Sequence, residues 1–123
     1  IETAIYHGAT TISIPYTLGN TAPDDFAALI QRVINRVPNI DQATISVHCH
    51  NDQGLAVTNS ISALHAGARQ IECAINGLGA RKGNADLFAV VTAIAQDSTY
   101  STHIDLDLLN RASTLVHQWT WKP

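Results

Sequence analysis

The sequence predicts an α/β chain of three parallel βα units followed by a closing helix. Three times an apolar, β-branched run is followed by a turn and then by a segment of helical period, the rhythm of parallel strands returned by helices. With 123 residues and 46% hydrophobic content the chain has the length and core material of one domain, and no low-complexity linker divides it. Three parallel strands leave two open edges. The unit is therefore expected to pair with itself or with further strands.

The elements follow in order. Ile1-Glu2-Thr3-Ala4 reads as the tail of a helix capped at Gly8, and in a chain without methionine it suggests a start in mid-protein. The first strand is expected over 10–14, closed by Pro15. Its helix begins at Thr21 as N-cap, with Pro23 in the first turn and Asp24 and Asp25 complementing the dipole. Phe26, Leu29, Ile30, Val33, Ile34 and Val37 recur at three-and-four spacing, which turns one stripe toward a sheet until Pro38 stops it. The second strand, 43–47, runs into His48, and a helix from Leu55 carries Val57, Ile61 and Leu64 before Gly67. The third strand, 70–75, leads into the glycine-rich loop Asn76 to Asn84, and a helix with Leu87, Val90, Val91 and Ile94 follows. A last helix opens near Asp105 and sets Leu108, Leu109, Ala112, Leu115 and Val116 on one face, while the tail from Trp119 to Pro123, with Trp121, has no legible period.

Composition narrows the function classes. A net charge of -3 with seven scattered basic residues offers neither the stripe that nucleic acid requires nor a membrane anchor. No apolar run reaches the roughly 20 residues of a membrane span, and the N-terminus has no signal-peptide layout, so a cytoplasmic location is expected. Cys49 and Cys73 lie in apolar runs, where a free thiol acts as a small buried hydrophobe.

His48 and His50 stand two apart at the end of a strand, so both imidazoles project to one face and Cys49 to the other. That suits two ligands on one divalent ion, although the spacing alone leaves ordinary polar strand-end residues open. Position strengthens the metal reading. In α/β barrels functional residues sit where strands end, and Tyr16-Thr17, His48 to His50 and Asn76 to Asn84 all obey that rule. The glycine-rich loop admits a plain turn with Asn84 capping a helix. It is not a dinucleotide fingerprint, lacking the GxGxxG pattern and a following acidic residue. His65 is expected on a helix surface, His7, His103 and His117 fall in no ligand-spaced group, and Asp24, Asp25, Asp105 and Asp107 read as first-turn helix charges.

Several motifs in register resemble one family. They are Gly8 to Pro15, Val37-Pro38-Asn39-Ile40-Asp41, Ser46 to Val57 around His48-Cys49-His50-Asn51-Asp52, Ala66 to Glu72, Asn76-Gly77-Leu78-Gly79 and Gly83-Asn84. Together they resemble 2-isopropylmalate synthase and the related homocitrate and citramalate synthases over residues 1–97, with 98–123 a connecting segment and helix. The resemblance implies a partial (β/α)8 TIM barrel holding the sixth to eighth strands. It implies condensation of acetyl-CoA with 2-oxoisovalerate in leucine biosynthesis, a divalent metal (Mn, Mg or Zn) on His48, His50 and Asn84, and a substrate contact at Thr17.

The departures matter as much. Tyr16 puts a bulky phenol where the family pattern has an acidic residue, and the sequence leaves open whether it fills the substrate space; Ala80 replaces another carboxylate, and Gln53 stands where leucine is usual. The motif that completes the metal set and the general base belong to strands outside this sequence, so no complete catalytic set is expected in it. Three readings stay open: part of an acyltransferase active once completed, a non-catalytic metal-binding remnant, and a module that self-associates through its sheet edges.

Overall fold

A computed structural model describes residues 1–120; the predicted tail residues from Trp121 onward lie outside them. Helix α1 (Glu2–Tyr6) leads through Gly8, at φ +102°, into strand β1 (Thr11–Tyr16). Then come α2 (Pro23–Arg36), β2 (Thr44–Cys49), α3 (Ala56–His65), β3 (Gln70–Glu72), α4 (Leu87–Ala95) and α5 (Leu106–Thr120). The strands form one parallel sheet in the order β1-β2-β3, with Thr11 opposite Thr44 and Ser46 opposite Gln70. The predicted three βα units and closing helix are all present.

The sheet has two unlike faces because side chains alternate along each strand. Ile12, Ile14, Tyr16, Ile45, Val47, Cys49, Ile71 and Cys73 pack against α2, α3 and α4, where Phe26, Ile30, Ala56, Ala63 and Val90 complete the core. The other face carries Ser13, Ser46, Gln70, Glu72 and His48, joined by hydrogen bonds. This polar face ends at the candidate site.

Several boundaries differ from the sequence reading. Pro15 lies inside β1 rather than closing it. The bonds from Thr44 N to Thr10 O and from His50 N to Tyr16 O turn the even-numbered residues of β1 toward β2, so the donor that Pro15 lacks faces the free edge, where proline is tolerated. Thr21 is not the cap of α2. That position is Ala22, without a side-chain hydrogen bond, because the Thr21 hydroxyl is hydrogen-bonded to the Tyr16 phenol oxygen while Pro23 pre-sets the first turn. Strand β2 continues through His48 and Cys49. Strand β3 stops at Glu72, since Ala74 pairs with Asp86 instead and Asn76 adopts φ 57°.

The apolar stripes were too broad. Leu29, Leu108 and Leu115 are exposed, and on α5 only Leu109 is buried. The inward face of α3 is made of Ala56, Asn59, Ser60, Ala63 and Leu64, and its small members Ala56, Ser60 and Ala63 let this helix lie close to the sheet, while Val57 and Ile61 are half-buried. Helix α5 is capped by Asp105, which accepts from the Asp107 and Leu108 amides at 2.8 and 3.2 Å. It is tied to the glycine-rich loop through Asn76, which donates to Ser113 O at 3.0 Å. Trp119 is exposed on this helix. Both cysteines are free, and no described helix is long and apolar enough to cross a membrane.

Candidate metal centre

The C-terminal end of β2 delivers His48 and His50 to one face, their ring centroids 5.0 Å apart, and sends Cys49 into the core. Asn84 reaches the same place because 83–85 is laced to the end of β2. Asn51 N donates to Gly83 O at 2.9 Å, Ala85 N donates to Cys49 O at 3.2 Å, and His50 and Asn84 form a bridge. The glycines permit this closeness. A Cβ on Gly79 would stand 2.5 Å from Asn84 Nδ2, and one on Gly83 would stand 2.1 Å from the Gly77 carbonyl oxygen. The helix cap in this segment is not Asn84 but Asp86, which accepts from Ala89 N at 3.3 Å, leaving the Asn84 amide available.

That amide is oriented. Its Nδ2 donates to Leu78 O at 2.8 Å, which turns Oδ1 toward His48 Nε2 at 3.2 Å. Two ligand atoms about 2.1 Å from one ion and at right angles to each other lie roughly 3 Å apart, so this pair is spaced as cis ligands would be. Nδ1 of His50 is a buried polar atom with no hydrogen-bond partner, the kind of atom a cation satisfies. The residues therefore fit a divalent ion. Among the described residues no group of three or more His, Cys, Asp or Glu is arranged to hold a metal; the set here is two imidazoles and one amide oxygen.

Two surrounding features escaped the sequence reading. Glu72, opposite His48 in register, accepts from the Ser13 and Ser46 hydroxyls at 2.6 and 2.8 Å and meets His48 Nδ1 at 3.1 Å. Its parity with Gln70, against Ile71 and Cys73, announced the face but not the partner. Arg81 makes a paired contact with Asp52, at 2.7 and 2.8 Å, and donates to Thr17 O at 2.6 Å. It thereby ties together the loops that follow all three strands. Thr17 is exposed and joins the cluster through its carbonyl. Gly19 accommodates the approach, since a Cβ there would sit 2.9 Å from His50 O and 3.1 Å from the Asp52 carboxylate.

Tyr16 turns away from that space. It shares parity with Ile12 and Ile14, so its ring turns to the helix layer, 5.0 Å from Phe26, and its hydroxyl donates to Asn20 Oδ1 at 2.7 Å. No phenol projects from β1 onto the face that carries His48. His65 lies on the surface of α3, paired with Asp97 at 2.8 Å, away from this cluster.

The charges set a pH dependence. Desolvation, then the Arg81 and His48 charges, hold His50 below its ordinary 6.5. The Ser13 and Ser46 hydroxyls lower Glu72, and the Arg81 hydrogen bond lowers Asp52. Each value is depressed on folding, so the unfolded chain binds more protons as pH falls, and the stability these groups contribute is present above their unfolded values and lost below them. The thermal midpoint is expected to be level between about pH 7 and 8, to decline below about 6.5, and to fall further through the carboxylate range near about 4. A midpoint that rises on acidification from pH 7 to 5 would contradict this assignment.

A family model described as HMGL-like matches residues 1–116. The 2-isopropylmalate synthase of Methylorubrum populi is 53% identical over 119 residues, covering 94% of this chain and 23% of that protein. That of Shewanella amazonensis is 53% identical over 121 residues, covering 96% and 23%. The chain thus spans about a quarter of the length of these relatives. Among solved structures, the HMG-CoA lyase from Brucella melitensis superimposes with a TM-score of 0.81 at 28% identity, over 96% of this chain and 42% of that one. The match of sequence over nearly the whole chain, on a parallel sheet of the same geometry, shows that the chain belongs to the HMGL-like family and is a three-strand segment of its (β/α)8 barrel.

Proposed function

We propose that this chain carries the metal-binding end of a 2-isopropylmalate synthase-type barrel, which joins acetyl-CoA to 2-oxoisovalerate or a related 2-oxoacid in leucine biosynthesis. The observation that carries the reading is the convergence of His48, His50 and the oriented Asn84 oxygen at one strand end, in a chain 53% identical to proteins of that name. His48, His50 and Asn84 would hold the ion. A bound Mn, Mg or Zn ion supplies Lewis acidity toward the oxoacid carbonyl. The chain's own groups do the positioning: Glu72 fixes the His48 ring, Arg81 holds three loops in place, and Thr17 stands at the end of β1 for the oxoacid.

Residues 1–123 act as one unit in this reading, with 98–123 as connecting segment and helix, in a cytoplasmic enzyme whose remaining strands pair with the edges of β1 and β3. By itself the chain is expected to bind the ion without turnover, because the remaining metal ligand and the general base of the family pattern belong to other strands of the barrel. Calorimetric titration with Mn²⁺ alone should show binding that the double variant His48→Ala, His50→Ala loses. Equal affinity in both proteins removes the reading. An assay of CoA release from acetyl-CoA and 2-oxoisovalerate is expected to stay at background, and sedimentation at high concentration should reveal self-association through the open edges.

A further inference from the structure

We propose that Glu72 is a positioning residue that locks His48 in the Nδ1–H tautomer, so that the Nε2 lone pair and the Asn84 amide oxygen are directed at one point. The placement is set by register: Glu72 on β3 is the direct partner of His48 on β2. Its two oxygens have separate tasks. Oε2 meets Nδ1 of His48 at 3.1 Å, while Oε1 takes the Ser13 hydroxyl of β1 at 2.6 Å and the Ser46 hydroxyl of β2 at 2.8 Å. All three strands therefore contribute to holding one carboxylate.

The direction of each hydrogen bond follows from counting donors. Gln70 Nε2 donates to Ser46 Oγ at 3.0 Å, which turns the Ser46 proton toward Glu72. A carboxylate has only acceptor sites, so the contact with Nδ1 requires a proton on that nitrogen. In the neutral imidazole the other nitrogen then carries a lone pair. Nε2 faces Asn84 Oδ1 at 3.2 Å, and Oδ1 is itself an acceptor because Nδ2 is committed to Leu78 O at 2.8 Å. Two lone-pair atoms held face to face repel each other unless an electropositive partner sits beside both. The arrangement is preorganised for a cation, and Glu72 is what prevents the ring from resolving the conflict by moving its proton.

Glutamine at this position makes a sharp contrast with almost no change of shape. The serine hydroxyls would hold the amide oxygen where Oε1 now lies, leaving the NH₂ group against Nδ1. His48 would then have to accept at Nδ1 and carry its proton on Nε2, where it donates to Asn84 Oδ1 and masks both ligand atoms. A carboxylate that served only to fill space would leave the ring proton where it is.

The inference rests on the metal-centre reading for the purpose of the lone pair, not for the tautomer, and one experiment separates the two. Long-range ¹⁵N spectra of the metal-free, labelled chain at about pH 8.5, two units above an ordinary imidazole, report which nitrogen of His48 bears the proton. Calorimetry with Mn²⁺ alone, on separate samples, reports affinity. The wild type is expected to show Nδ1–H and Glu72→Gln to show Nε2–H, with affinity lower by roughly 10–100-fold, as for other groups that orient metal-bound histidines. A wild-type proton on Nε2 overturns the proposal, and that spectrum decides even if the variant fails to fold. An unchanged tautomer and unchanged affinity in a folded Glu72→Gln also overturn it. A tautomer switch in proteins that do not bind Mn²⁺ supports the role of Glu72 and sinks the metal reading alone.

Discussion

Replacing Gly83 with alanine is expected to collapse the candidate site and to cost on the order of 2 kcal/mol or more of stability. Two effects add. The residue sits at φ +92°, where an L side chain is strained, and its Cβ would stand 2.1 Å from the Gly77 carbonyl oxygen, a backbone atom that cannot swing aside. The loop can relieve that contact only by separating 77 from 83–84. Such a movement breaks the bond from Asn84 N to Gly77 O at 2.9 Å and the bond from Asn51 N to Gly83 O. Asn84 would then leave His48, and Mn²⁺ affinity should fall roughly tenfold or more. Gly8→Ala is the control, because Gly8 has φ +102° with nothing within 4 Å of its Cβ. It should show backbone strain of about 1–2 kcal/mol and no change in affinity. Urea unfolding and calorimetry on both variants would check this, and equal losses in the two would refute the close-contact argument.

That loop marks where sequence reasoning succeeds and where it stops. The parallel βα rhythm was legible because it is local: β-branched runs such as 44–47 and the periodic helix from Phe26 to Val37 carry their own signal. The grouping of His48, His50 and Asn84 was legible through motif register, whereas spacing alone supported only the two histidines. Glu72 and Arg81 were missed because their meaning lies in pairings across strands and loops, set by a register that no local window contains. Thr21 was misassigned as a cap because its competing partner, Tyr16, depends on where β1 ends. The stripes of α2 and α5 misled in another way. Apolar periodicity tells which face can be covered, but Leu29, Leu108 and Leu115 remain exposed because no described element covers them.

Phe26→Ala should bring the chain to the margin of unfolding, with a loss of about 3–5 kcal/mol from a total that for domains generally lies between about 5 and 15 kcal/mol. Phe26 is the largest fully buried side chain among the described residues, and its ring lies 5.0 Å from that of Tyr16 at 42°. Truncation leaves a cavity between α2 and the end of β1. Tyr16→Phe tests the other half of the contact, since it keeps the ring and removes the hydroxyl bonded to Asn20, Thr21 and the Asn20 amide. Its expected cost is about 1 kcal/mol, that of hydrogen bonds exchanged for partly hydrated ones. Because Tyr16 faces the helices, Tyr16→Phe should also leave Mn²⁺ affinity unchanged. If the phenol instead stood among the ligands, affinity would move with little change in the urea midpoint. The pair of substitutions thus separates a residue that anchors the first βα loop from one that occupies the site. The parity of Ile12, Ile14 and Tyr16 along β1 is the physical reason to expect the anchor.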